Sequence, residues 1–373
     1  MVARAAARLL LCAAAARAQI FSCKDDKVWP SSVDGRQNPP STRGSYVEWW
    51  FFTAFSADAD VGLALSYSPK HHGVSAMMYE HAATPTLAKV HDVHRTFNSS
   101  VVNTDNATQH FGTDGSTFVM VLDEKTYLVR GEIPSADLRW SLTYHQEVDP
   151  AREHVDILGA IKLDWVSYMP SATVRGEISF QGRTYRIDDG LGYHDHNSGK
   201  WPKTQLAAGD SVADGSSAFS FDYKWGSVYG GASGVGGVYG AYLLPKPFSK
   251  SSIDYVFLRA HGKRIEFATL CGHHVHIEPL AFVDRAGGHR EATAVRITAE
   301  SRAWRAEWTH AVRSSALNSG GTGLGLVVYE QLSEHNLTLI AKSVEEGGAA
   351  QANGVPFATL HRAPGFTEWS NPA

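Results

Sequence analysis

Polar and apolar residues alternate with a period of two over much of the chain. Leu138, Trp140, Leu142 and Tyr144 are separated by Arg139, Ser141 and Thr143. Between Phe219 and Trp225 the aromatic residues fall on one side and Ser220, Asp222 and Lys224 on the other. Trp304, Ala306 and Trp308 oppose Arg305, Glu307 and Thr309. Successive side chains of a strand point to opposite faces, so each stretch predicts a half-buried strand. Apolar or β-branched runs at Val61–Tyr67, Val74–Tyr79, Phe118–Leu122, Ile253–Leu258, Ala294–Thr298 and Leu324–Tyr329 predict more. Gly, Asp, Asn and Pro separate them at hairpin-like spacing. Short helices are expected only near Thr86–Val93 and Thr309–Leu317. The expected class is all-β, with enough short strands for two sheets or barrels rather than one. Lys200–Gly215 is the expected seam, and Gly226–Gly240, rich in Gly, Ser and Tyr, is a candidate cleft lining. No internal sequence repeat stands out.

The first residues read as an address. Arg4 and Arg8 precede Leu9–Leu11, Cys12 and Ala13–Ala16, and Ala16-Arg17-Ala18 forms an A-x-A cleavage site. This is the pattern of a secretory signal peptide over residues 1–18. The apolar run is too short to span a bilayer, and no later stretch approaches a span. Removing the leader takes three arginines with it and moves the net charge of −4 to −7. A chain of that charge lacks the basic excess that binding a phosphate backbone requires, so no nucleic-acid partner is expected. Sequons at Asn98, Asn106 and Asn336 fit secretion and predict N-glycosylation. Cys23 and Cys271 remain after cleavage, an even number that an oxidising compartment would allow to pair. The expected organisation is a leader (1–18), an N-terminal β-domain (19–205) and a C-terminal β-domain (206–373). The oligomeric state is not legible.

Three stretches could carry chemistry. In Gly190-Leu191-Gly192-Tyr193-His194-Asp195-His196-Asn197, an extended backbone would point His194 and His196 one way and Asp195 the other. The two histidines suit metal ligation, an imidazole–carboxylate pair suits acid–base work, and a structural corner suits both residue types. A third metal ligand would have to come from His91, His94, His273, His274 or His276; nothing in the spacing forces this, and no metal is assigned. In Tyr46-Val47-Glu48-Trp49-Trp50-Phe51-Phe52, a strand would put Glu48 on the same face as Trp50 and Phe52. A carboxyl on an aromatic wall serves as an acid or a hydrogen-bond acceptor, or else marks the edge of a packed core. In the third stretch, Asp222 and Lys224 share one face as an exposed ion pair or as groups polarising a ligand carbonyl. No hydrolase elbow, P-loop or dinucleotide fingerprint is present, so redox and phosphoryl-transfer roles find no support.

Together, Glu48-Trp49-Trp50-Phe51-Phe52 and Gly190-x-Gly192-Tyr193-His194-Asp195-His196-Asn197 resemble the carotenoid 1,2-hydratase-like superfamily. That group includes kievitone hydratase-like proteins and fungal lipocalin-like Diels–Alderases. Tyr223-Lys224-Trp225-Gly226 resembles the family's strand after the second motif, and by motif order the likeness runs from Ser45 to Glu330. It implies two consecutive lipocalin-like β-domains with a ligand pocket within or between them, an apolar small-molecule substrate and no cofactor. Carotenoid hydratases place a Trp after the His-Asn pair; here that position is Ser198, and the next Trp is Trp201. An aromatic face stabilises a carbocation formed from an alkene, so its loss turns the expectation towards a (hetero-)Diels–Alder cyclase. Hydration and non-catalytic carriage are the alternatives. His194, Asp195, His196, Glu48, Asp222 and Lys224 are then the catalytic candidates. Trp50, Phe52, Tyr193, Asn197, Tyr223 and Trp225 are the candidates for binding substrate.

Overall fold

The computed structural model describes residues 46–58, 60–68, 72–81, 89–103, 108–112, 115–157, 161–200, 222–243, 252–285, 288–318, 326–342 and 355–372. Among these the regular structure is almost entirely antiparallel strand, in two sheets of twelve and nine strands. The first sheet holds β1 (Tyr46–Phe55), β2 (Gly62–Ser68), β3 (Gly73–Glu80), β4 (Lys89–Thr96), β5 (Ser100–Asn103) and β6 (Thr108–Phe111). It continues with β7 (Thr117–Asp123), β8 (Thr126–Ile133), β9 (Leu138–Gln146), β10 (Ala151–Ile157), β11 (Ile161–Phe180) and β12 (Arg183–Lys200). The second holds β13 (Asp222–Tyr229), β14 (Val235–Leu243), β15 (Ser252–Ala260), β16 (Lys263–Ala268) and β17 (His274–Asp284). It ends with β18 (Arg290–Glu300), β19 (Trp304–Asn318), β20 (Leu326–Ala341) and β21 (Ala358–Pro372). Of the expected seam, Lys200 is the last residue of β12, and 201–215 lie outside the described residues.

Both sheets obey one wiring rule. The first four strands form a meander, and the last strand returns to pair with the first on its other side: β12 with β1, β21 with β13. The two halves are therefore topological repeats without a visible sequence repeat.

Each sheet curls around an apolar core of its own. Trp50, Phe52, Tyr67 and Tyr144 pack with Phe111, on a strand far from β1 in sheet order, so one face of the first sheet has closed on itself. In the second sheet Ile265 and Phe267 of β16 meet Val275 of β17, at its opposite edges. A third cluster joins Phe51, Phe55 and Tyr193 to Trp225, Tyr229 and Phe366. These residues alternate along their strands with those of the enclosed cores, so the sheets pack through their outer faces. Hydrogen bonds join the two halves as well: Thr53 Oγ1 with Tyr229 Oη at 2.7 Å, and Arg259 Nη2 donating to the Pro150 carbonyl at 3.1 Å.

The all-β expectation holds, but both expected helices are strands. Lys89–Thr96 pairs with β3, and Val90 and Val93 pack on opposite sides of the sheet. Their three-residue spacing imitates a helical stripe. In β19 the register slips between Val312 and Ser314, which makes Arg313 the extra residue of a bulge. The bulge leaves His310 and Ser314 buried four residues apart, again a helical spacing on a strand.

Gly176 occupies another irregularity, where the β11–β12 register shifts beside Val174. Its φ is +140°, and a Cβ there would lie 2.0 Å from the carbonyl oxygen of Ser141. Gly176→Ala is expected to cost about 2 kcal/mol or more. The urea midpoint should fall while the slope of the transition stays unchanged.

Candidate functional site

The two sequence motifs are direct neighbours in space. In the β1–β12 ladder Glu48 sits opposite Ser198, Trp50 opposite His196 and Phe52 opposite His194. On the other face Phe51 lies opposite Asp195, and Thr53 opposite Tyr193. Residues 140 or more apart in the chain thus form one bilayered site whose two sides alternate residue by residue.

The inward side faces the core of the first sheet. The His196 ring stacks on Trp50 at 4.0 Å and 16°, and the His194 ring on Phe52 at 3.9 Å and 1°. His196 Nε2 is hydrogen-bonded to Glu48 Oε1 at 3.2 Å, with both side chains about 1% exposed. This is the imidazole–carboxylate pair anticipated from the sequence, but its acid is Glu48 rather than the adjacent Asp195. His194 Nδ1 donates to the Phe51 carbonyl at 3.0 Å. That bond places a proton on Nδ1, and the ring lies 4.9 Å from the ring of Tyr127 and 5.8 Å from that of Tyr168.

The outward side lies in the layer between the sheets. Asp195 accepts from Trp165 Nε1 at 2.7 Å, Tyr193 Oη at 2.6 Å and Asn197 Nδ2 at 2.7 Å. Burial nevertheless outweighs these donors and pushes its carboxyl up to about 7, so the acid holds a proton near neutrality. The same burial, reinforced by Asp195, drives the Tyr193 phenol well above its ordinary range. Trp225 joins from β13, with its ring 5.0 Å from Tyr193 and edge-on to Phe51. Its indole N–H is buried and has no hydrogen-bond partner among the described residues. A buried donor left unsatisfied costs about 1–3 kcal/mol, so it is a standing invitation to an acceptor.

The remaining candidates fall elsewhere. Trp225 does not share a wall with Trp50, because the two occupy opposite sides of the first sheet. Lys224 lies 4.4 Å over the Trp369 ring of the second core, away from the histidines. The side chains of Asp222 and Tyr223, all of Asn106 and all of Cys23 lie outside the described residues. Asn98 and Asn336 are exposed, and Cys271 packs half-buried against the layer between the sheets. Among the described residues no three His, Cys, Asp or Glu side chains are grouped to hold a metal, and no helix is long and apolar enough to cross a membrane.

Several residues escaped the sequence reading. Trp165, Tyr127 and Tyr168 carried no local signal. His310 did, since it continues the Trp304–Ala306–Trp308 face into the second core. There Tyr239 meets His310 at 2.6 Å, and Trp308 donates to His335 at 2.9 Å. Burial holds His310 down at about 3, and His335 well below its usual value.

Two buried groups tilt the pH dependence in opposite senses. Asp195 stabilises the fold fully below its unfolded range near 4, and that contribution is lost as pH rises to about 7. His310 stabilises the fold above its unfolded value near 6.5, and that contribution is lost as pH falls towards about 3. Asp195→Asn should therefore remove the decline and make urea stability rise more steeply from about pH 4 to about pH 7. His310→Gln should flatten the acid limb instead.

No family model and no curated protein matches the sequence. Solved structures do. A protein described as AttH from Nitrosomonas europaea matches with a TM-score of 0.53 at 15% identity, over 95% of this chain and all of that one. CghA crystallised with Sch210972 matches with a TM-score of 0.59 at 12% identity, over 94% of this chain and 97% of that one. CghA in a second structure gives 0.58 at 11% identity, over 95% and 97%. Along nearly its whole length, then, the chain has the two-domain lipocalin-like fold that the AttH and CghA structures share.

Proposed function

We propose that the chain is a cyclase of specialised metabolism that closes a ring by a (hetero-)Diels–Alder reaction. Its substrate is an apolar polyketide-, tropolone- or terpenoid-type intermediate, bound in the aromatic layer between the sheets. The observation that carries this is the indole N–H of Trp225, buried and unsatisfied within a ring of Phe51, Tyr193 and Phe366. Aromatic walls hold diene and dienophile in a reactive pose, and orientation alone contributes on the order of 7–11 kcal/mol at best. A dienophile carbonyl gains charge as the ring closes, and the Trp225 N–H is the donor that meets it. Asp195, able to hold a proton near neutrality, can protonate a leaving hydroxyl where the diene forms by loss of water. The motif resemblance to fungal lipocalin-like Diels–Alderases supports this reading. So does the fold of CghA, a protein crystallised with the small molecule Sch210972. The leader-like first 18 residues, the three sequons and the two remaining cysteines, Cys23 and Cys271, support a secretory-pathway location for it.

A second reading rests on the other side of β12. Glu48 and His196 form a buried acid–base pair against the face of Trp50, the parts needed to protonate an alkene and direct water to the cation. The indole of Trp50 would then do what the Trp missing at position 198 does in carotenoid hydratases.

Comparing metabolites of a producing strain with and without the gene separates these readings. Cyclisation leaves a precursor isomeric with the product, or two precursors whose masses sum to it, less one water where a quinone methide forms. Hydration leaves a precursor lighter by one water, and unchanged metabolites leave only a carrier. On the isolated enzyme, Trp225→Phe should lower kcat about 100-fold under the cyclase reading, with Glu48→Gln within a few-fold of wild type. Hydration reverses that order.

A further inference from the structure

We infer a second small-molecule site, for a carboxylate with an apolar body, in a cavity between β4 and the β17–β19 region of the second sheet. The cavity has a volume of about 620 Å³, in the range of small-molecule pockets, and lies apart from the His194–His196 motif. Val90 and Asp92 line it from the first sheet, and Val283, Arg285 and Leu317 from the second.

The β19 bulge builds its polar end. Arg313 is the extra residue there, and the slip turns Arg313 and Ser314 together into the cavity. Re-aiming side chains is what bulges do at functional sites. Ser314 is 7% exposed, and its hydroxyl has no hydrogen-bond partner among the described residues. It is a buried polar group waiting for a ligand atom.

Two arginines, Arg285 and Arg313, line the same cavity. Arg285 engages the fully buried Glu291, with Nε at 2.5 Å, and Ser315 Oγ at 3.0 Å. Glu291 is held from behind by Gln331 Nε2 at 2.7 Å, which anchors the arginine. Arg313 engages Glu334, which Arg362 also holds at 3.0 Å. A guanidinium has five donors, more than these contacts use, and its planar fork suits a carboxylate. Asp92 lines the cavity from the opposite sheet. Val90, Val283, Val312 and Leu317 supply the apolar wall for the rest of the molecule.

Decanoate and decanol, titrated calorimetrically into the full chain, test the site. Decanoate should bind saturably, and decanol about tenfold more weakly or worse. Arg313→Gln should lose at least about tenfold in decanoate affinity. Its loss leaves Glu334 paired with Arg362, so the fold is kept. Leu317→Asp should lose as much; it places a negative charge at the rim on a residue 52% exposed, where folding is indifferent to it. Absence of saturable decanoate binding, equal affinity for decanol, or unchanged affinity in either variant overturns the assignment. None of these outcomes bears on Trp225 or Glu48.

Discussion

The pairing of the first strand with the last organises each half of this molecule. In the first sheet the β1–β12 ladder is the seam at which a four-stranded meander joins the remaining strands. It is also the place where every chemically suggestive residue of the two motifs meets. Glu48 reaches His196 only because Tyr46 pairs with Lys200 and Phe55 with Leu191, without a bulge between. A slip of one residue would exchange the two faces of β12, turning Asp195 into the enclosed core and both histidines out of it. The stacking of His196 on Trp50 and of His194 on Phe52 is the local lock against such a slip.

That seam divides chemistry by parity. Even positions of β12 deliver imidazoles to a closed aromatic interior, and odd positions deliver a carboxyl to the layer between sheets. A single strand thereby serves two environments about a backbone's thickness apart. Asp195 shows the effect of this: three donors converge on it, yet burial still keeps its proton on near neutrality. The second half repeats the wiring but not the residues. Its core holds His310 and His335 on β19 and β20 rather than on the strand that pairs with β13.

Much of the fold was legible because period-two alternation is a local property. The strands over Leu138–Tyr144 and Val74–Tyr79 needed no partner to be recognised, and the alternation at His194, Asp195 and His196 follows from extended backbone alone. The failures came where a sheet is irregular or where contact is remote. Residues 309–317 looked helical because a bulge shifts the phase of burial, and residues 89–93 because valines three apart serve different cores. The partnership of Glu48 with His196 could not be read from spacing, since it depends on register across some 150 intervening residues. Trp165, which fixes Asp195, is one tryptophan among ten in the sequence. Lys224 looked like a partner of the motif and instead caps Trp369, because β13 turns its even positions into the second core.

First-to-last pairing also sets an order of events in time. Strands β5 to β9 contact their sequence neighbours and can assemble as the chain emerges. β1 must wait for residues beyond 190, and β13 for residues beyond 360. Closing loops of that length is entropically slow, so in each half one side of β1 or β13 stays open, while the other pairs with the next strand, until its own C-terminal strand arrives. The Glu48–His196 pair, built from the first and last strands of its sheet, can form only when that sheet is finished.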